Sequence, residues 1–295
     1  MNPAQGPFKL SEFLGSQAPR VDIVDVGAMA LDGHVNEYSS LVKHGNGYVV
    51  GFEPIPEECE KLNKTAGKKQ RFLPYFIGDG SEGEFKLCSA PMTSSLLEPN
   101  IPLLRKFNDL AELTTPVQRS RVQTRRLDDI PEITAMDMLK VDVQGLELAV
   151  IKGAERLLKD AVVVQCEVEF VEMYKGQPLF ADIDTELRRQ GFCFHTMGPG
   201  MGRCFKPLVN SREPGGRLRQ ILWNDAVYVK DWMRLDALSP EQLLKMAVIL
   251  HDCYFSSDLA SHLLQHYDAR TGKSLWKPFL RRLVGTVPDN LPPLQ

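Results

Sequence analysis

The sequence has no apolar run of membrane-spanning length, no Cys-x-x-Cys pair, and no basic start followed by an apolar core. The first absence excludes a spanning helix. The second removes the usual zinc and dithiol motifs. Of the six cysteines (59, 88, 166, 193, 204 and 253), Cys166 and Cys193 sit in apolar, strand-like runs, as thiols do when they act as small hydrophobes in a reducing compartment. The third means that no secretory signal is visible between Met1 and Arg20, and the expectation is a cytoplasmic protein. Charge of one sign is also missing. With 35 Lys and Arg against 38 Asp and Glu, the net charge of −3 is too balanced for a general nucleic-acid binder. Neither nucleic acid nor a membrane is expected as a partner.

What is present is an ordinary globular composition, 43% hydrophobic and 25% charged over 295 residues, enough for one large α/β domain with an appendage. Val21–Gly27 reads as a buried strand running into a turn, Gly47–Pro54 as a second strand and Phe72–Ile77 as a third, with helical patterns between them. The stretch from Gly80 to Leu127 is less regular. Within it Glu84–Cys88 and Arg121–Leu127 look extended and Leu103–Leu113 looks helical. Alternation resumes with a strand after Asp137, a helix to Lys159, a strand over Ala161–Val168, a helix ending at Gly191, and strands at Phe192–Thr196 and Ile221–Val229. Such alternation predicts a parallel sheet with helices on both faces. From Ser239 the texture changes: Ser239-Pro240-Glu241 is a helix start, and Asp258–His266 is a second helix. The expected division is residues 1–235 for the α/β domain and 236–295 for a helical extension that lids the sheet or pairs two copies.

The chain is organised around Asp137–Glu147, where Met138, Leu139, Val141 and Val143 form a buried run that stops at Gly145 and gives way to a helical pattern. Asp142 therefore lies at the carboxyl end of a central strand, on the rim where open α/β sheets bind ligands. Asp25, Glu53 and Asp79 end other strands, and Glu167 and Glu169 a fifth. An acid after the second strand is placed to accept hydrogen bonds from both hydroxyls of a ribose. Gly27 lets the first turn pass close to a ligand. Yet Gly27-Ala-Met-Ala-Leu-Asp-Gly33 is not Gly-x-Gly-x-x-Gly, so a pyrophosphate lacks its cradle. S-adenosylmethionine carries an adenosine and no phosphate, and the pattern favours it over a dinucleotide.

These residues come in a recognisable set. Asp25-Val-Gly-Ala28, Phe52-Glu-Pro-Ile-Pro56 with Asn63, Ser94-Ser95-Leu96, Leu139–Glu147, Lys152-Gly-Ala154 and Trp223–Tyr228 together resemble the FkbM-type methyltransferases, a branch of the class I S-adenosylmethionine-dependent enzymes, over roughly Val21 to Lys230. The resemblance implies a Rossmann-like, seven-stranded, mostly parallel sheet with one antiparallel strand. It also implies methyl transfer to a hydroxyl oxygen of a sugar or natural-product-type small molecule. Carried over, Asp25, Gly27 and Ala28 line the methionine side of the donor, Glu53 with Pro54 holds the ribose, Asp79 meets the adenine amino group, and Ser94 and Ser95 close over the site. Asp142 faces the methyl. Two departures stand out: Met29, Ala30 and Leu31 replace the Asn and second Gly that usually follow Gly-Ala, and Gln144 stands where Glu is commoner, losing a charge but keeping an acceptor.

An alcohol nucleophile needs its proton taken by a positioned base. Asp142 is the first candidate and His195, on a strand ending at the same rim, the second. Trp223, Tyr228 and the Met197–Met201 loop offer apolar surface for an acceptor. No metal is expected, although Asp142, Glu167 and Glu169 carry oxygen ligands of a kind that divalent cations use. His262 and His266 are a helical turn apart but lack the glutamate of a metalloprotease motif. Two alternatives stay open: a nicotinamide-dependent oxidoreductase on the same fold, and a non-catalytic interaction protein whose altered 29–31 loop no longer binds a donor.

Overall fold

Short runs of Val, Ile and Phe bounded by Gly, Pro or Asn become strands here. The computed structural model describes residues 8–29, 35–210, 213 and 215–285. Its strands are β1 (Val21–Val26), β2 (Gly47–Phe52), β3 (Gln70–Leu73), β4 (Phe76–Ile77), β5 (Glu82–Cys88), β6 (Pro116–Arg125), β7 (Met138–Val141), β8 (Val163–Glu169), β9 (Phe192–Met197) and β10 (Trp223–Lys230). Seven of them form one sheet in the order β3-β2-β1-β7-β8-β10-β9. All are parallel except β10, which runs against both β8 and β9. This is the Rossmann-like class I sheet that the sequence predicts. Strand order steps outward from β1 to β3 on one side and from β7 onward on the other, so it reverses between β1 and β7. A crevice opens beyond the carboxyl ends of the strands at such a reversal.

Side-chain alternation builds two cores. Val21, Ile23, Val49, Met138 and Val163 face Leu10, Leu14 and Leu41 and the carboxyl-terminal helices, with Leu243, Ala247, Leu250 and Leu263 fully buried among them. Val24, Val26, Leu139, Val141, Val164 and Cys166 face the Glu147–Lys152 and Phe180–Arg189 helices through Val150, Ile151, Ile183 and Leu187. The helices Pro240–Tyr254, Ser257–Thr271 and Trp276–Val284 thus cover one face of the sheet. The first begins as its sequence predicts: the Ser239 hydroxyl accepts from the Gln242 N–H, and the Gln242 side chain accepts from the Ser239 N–H. The same helix ties down the amino-terminal Leu10–Leu14 helix, because the buried Asp252 carboxylate accepts from the Leu10 and Ser11 N–H groups and the Ser11 hydroxyl.

Three expectations change. Phe72–Ile77 is not one strand but two: Pro74, with no N–H to give a ladder, separates β3 from β4, and β4 joins a second, three-stranded sheet ordered β4-β6-β5. Leu103–Leu113 splits into the helical turns Ile101–Leu104 and Leu110–Leu113, broken where Asp109 takes a left-handed φ of 62°. The Trp276–Val284 helix is an addition, anchored by Phe279 in the core.

Candidate active site

The crevice between β1 and β7 is stitched shut at its floor by backbone. The Asp142 N–H donates to the Val26 carbonyl at 2.9 Å, and the N–H groups of Gly27 and Ala28 both donate to the Phe52 carbonyl at 3.0 Å. The turn after β1 then passes directly over the turn after β7. Gly27 has a φ of +85°, and a Cβ there would lie 1.8 Å from the Asp142 carbonyl oxygen. Only glycine satisfies both the conformation and the approach. Above this floor lies a cavity of about 390 Å³, lined by Gly27, Glu53, Pro54, Ser94, Ser95 and Asp142 among others. That volume lies within the usual range of small-molecule sites.

At the β2 end, Glu53 is 2% exposed, and its Oε1 accepts from the Ile55 N–H at 2.8 Å. Oε2 has no protein donor among the described residues and remains able to accept from a ligand. Burial pushes the carboxyl up to about 7. Phe52, Ile55, Tyr75, Phe76 and Ile77 supply the apolar wall beside it, with the Phe52 and Tyr75 rings stacked.

In the middle, Asp142 is half-buried and held by Gln144. Gln144 adopts a left-handed φ of 55° just before Gly145 at +103°. This turn points its amide back at the strand ends, where Nε2 donates to Asp142 Oδ1 at 2.9 Å and to Glu167 Oε2 at 2.6 Å. Its Oε1 accepts from the Tyr174 hydroxyl at 3.2 Å, and its backbone carbonyl accepts from Ser95 Oγ at 2.7 Å. The sequence reading valued Gln144 as an acceptor, but its donor side is what joins two carboxylates. Glu147 straps the same turn by accepting from the Val143 and Gly145 N–H groups. Oxygens of Glu147, Glu167 and Glu169 come within 4.8 Å of one another, so the trio that clusters contains Glu147 rather than Asp142. Burial pushes the carboxyls of all three up, that of Glu147 to about 7.

Four expected residues stand elsewhere. Asp25 is fully buried and off the lining, where it accepts from the Tyr38 hydroxyl and pairs with its cross-strand neighbour Lys140 at 3.4 Å. Ala28 packs in the core rather than on the lining. Asp79 follows β4 into the second sheet and is exposed, its carboxylate accepting from the N–H and hydroxyl of Ser81. Those hydrogen bonds hold its pKa below the usual value. His195 faces the carboxyl-terminal helices, with Nε2 paired to Ser256 Oγ at 2.8 Å and its pKa pushed down by burial. It is not on the lining, and neither is Tyr228, which is fully buried. Trp223, Met201 and Met29 do line the cavity. Ala30, Leu31 and Gly33 lie outside the described residues.

Sequence reasoning missed Lys140, Tyr174, Arg203 and Asp225, all of which line the cavity. Lys140 had a signal, as a lone cation in an apolar central strand. Burial alone would push it down, but the carboxylates of Asp25 and Asp142 outweigh burial and raise it. Arg203 and Tyr174 come from irregular segments and carried none.

The family model described as the methyltransferase FkbM domain matches residues 25–194. No curated protein matches the chain. Solved structures with a similar course include the magnesium protoporphyrin IX methyltransferase of Synechocystis PCC 6803 with bound SAM, at 11% identity and a TM-score of 0.37, covering 74% of each chain. A TehB-like SAM-dependent methyltransferase of Corynebacterium glutamicum is 14% identical, with a TM-score of 0.34 and coverage of 75% of this chain and 86% of that one. A putative methyltransferase of Thermoplasma acidophilum is 9% identical, with a TM-score of 0.37 and coverage of 76% of each.

Proposed function

The chain belongs to the FkbM methyltransferase family, and on that premise we propose that it transfers a methyl group from S-adenosylmethionine to a hydroxyl oxygen of a sugar or natural-product-type small molecule. The observation that carries this reading is that Glu53 and Asp142 line one cavity, at the point where strand order reverses. The chain's groups fit the donor. Gly27 lines the cavity floor without a side chain, Glu53 keeps an oxygen for the ribose, and the Phe52–Tyr75 side offers an apolar slot for adenine. A dinucleotide, in contrast, finds no phosphate-binding glycine loop in this sequence.

When bound, the donor supplies an electrophilic methyl carbon on a sulfonium. The chain's own task is alignment and proton transfer. Gln144 holds Asp142 through Oδ1, and Oδ2 has no protein donor among the described residues. Oδ2 is therefore the atom that accepts the hydroxyl proton as the carbon–oxygen bond forms and the carbon–sulfur bond breaks. Ser95 pins the loop over the Gln144 turn and helps keep water out.

Calorimetry with S-adenosylhomocysteine tests the donor assignment, and transfer of a ¹³C-methyl label tests the reaction. Saturable heat and a raised melting temperature are expected. No heat and no protection from unfolding would overturn the reading.

A further inference from the structure

Among the described residues, five carboxylates line the cavity (Glu37, Glu53, Asp142, Glu167 and Asp225) but only two cations, Lys140 and Arg203. Lys140 is buried and committed to Asp25. Arg203 is different. Among the described residues it forms no ion pair, and its only hydrogen bond is from Nη1 to the carbonyl of its neighbour Gly202, at 3.1 Å. Yet it is held in place. The guanidinium lies over the Trp223 ring, 5.7 Å from the centroid, and the Gly215 backbone passes nearby, since a Cβ there would sit 3.9 Å from its Cζ. A half-buried guanidinium fixed at a cavity wall with most of its N–H donors uncommitted is incomplete without an acceptor.

Its place in the sheet says which ligand it serves. Trp223 opens β10 and pairs with Glu169 of β8, whereas Glu53 follows β2. Those strands are four steps apart, roughly 19 Å at about 4.8 Å per strand, and the β7 end with Asp142 lies between them. Glu53 and Arg203 therefore occupy opposite ends of the cavity, with the proposed base in the middle. We propose that Arg203 anchors the methyl acceptor, and that this acceptor is a hydroxyl compound carrying an anionic oxygen group, a carboxylate or phosphate-type oxyanion. This rests on the methyltransferase reading above for the assignment of the Glu53 end to the donor.

The chemistry fits. A planar guanidinium offers an oxyanion a two-pronged fork of N–H donors, which a lysine does not. The walls around it, Met173, Leu104, Met201 and Trp223, offer almost no other polar partner, so a neutral polyhydroxyl compound gains little there. Repulsion from acids on the same lining is reduced, because burial pushes the carboxyls of Glu167 and Asp225 up toward their neutral forms.

The test uses the full chain and calorimetry, with and without S-adenosylhomocysteine. Three probe pairs separate the sources of the oxyanion: 3,4-dihydroxybenzoate and glucuronate, each against its methyl ester, for a carboxylate, and glucose 6-phosphate against its neutral dimethyl ester for a phosphate. The acid of at least one pair should bind about tenfold tighter than its ester, the aromatic pair more clearly given the apolar walls. Arg203→Gln should erase that preference while leaving the affinity for S-adenosylhomocysteine and the melting temperature unchanged, and Arg203→Lys should restore part of it. Equal binding of acid and ester (including binding of neither), a preference that survives Arg203→Gln, or a loss of S-adenosylhomocysteine affinity in that variant would each overturn the proposal. An acid preference with no heat from S-adenosylhomocysteine would leave the anion site standing and remove the donor assignment instead.

Discussion

Gly27 and Asp142 meet backbone to backbone: the space where a Gly27 side chain would begin is already occupied by the Asp142 carbonyl oxygen, 1.8 Å from an ideal Cβ. This contact fixes the distance between the β1 and β7 turns, and with it the height of the cavity floor. Gly27→Ala should therefore act twice, through a left-handed backbone and through a clash with main chain that cannot rotate away. The expected outcome is a melting temperature lower by about 5 °C or more and no measurable heat with S-adenosylhomocysteine. A variant that binds the donor normally would show that the two turns are not rigidly coupled.

Gln144 is the second joint. Its Nε2 bridges Asp142 and Glu167, and its Oε1 receives Tyr174. Gln144→Leu leaves both carboxylates without that donor and frees Asp142 to rotate. Turnover should fall by about 100-fold, with little change in donor affinity. Gln144→Glu, which puts a third acid between two others, should shift the pH profile of turnover upward as the group of carboxylates holds protons more strongly. Steady-state kinetics across pH would read both effects, and unchanged kcat in the leucine variant would remove Gln144 from the catalytic arrangement.

Donor affinity should depend on pH through Glu53. Burial holds its carboxyl at about 7, and a ribose hydroxyl donates best to the ionised form. Affinity is therefore fully present above that value and declines as pH falls through it. Between pH 8 and pH 6 the dissociation constant for S-adenosylhomocysteine should rise by about five- to tenfold, and Glu53→Gln should flatten the curve at a weaker level. A wild-type dissociation constant that does not move over this range would contradict the role given to Glu53.

The carboxyl-terminal helices have a structural consequence at the other end of the chain. Asp252, 1% exposed, receives two backbone N–H groups and a hydroxyl from Leu10 and Ser11. Asp252→Ala would strand those buried donors, at a cost of about 3 kcal/mol. Thermal unfolding should shift down by several degrees, and proteolysis should cut first near residues 8–14. Chemical denaturation with an unaltered midpoint would show that the amino-terminal helix does not depend on this tie.

The sheet was legible because its information is local. Runs such as Val21–Val26 and Met138–Val141 are apolar enough to be central strands, and glycine or proline marks their ends. Glu53, Pro54, Gly27 and Asp142 were legible for the same reason, as residues that immediately follow a strand. Asp25 is drawn off the lining by partners that no local pattern shows: the Tyr38 hydroxyl donates to it, and Lys140 on the adjacent strand pairs with it. Asp79 went astray because Pro74 redirects the chain into a second sheet. His195 shares the rim only in sequence order, and the Ser256 turn that takes its Nε2 lies 61 residues away. Arg203 and Tyr174 enter the cavity from irregular segments, where no periodicity predicts direction.

The account stands or falls on Asp142 as the group that takes the acceptor's proton. The most direct measurement compares Asp142→Asn with wild type in two quantities, the calorimetric dissociation constant for S-adenosylhomocysteine and the rate of ¹³C-methyl transfer. Donor affinity within about twofold of wild type, together with a rate lower by about 100-fold or more, is the predicted result. A rate that survives the substitution, or a donor site that disappears with it, would contradict the account.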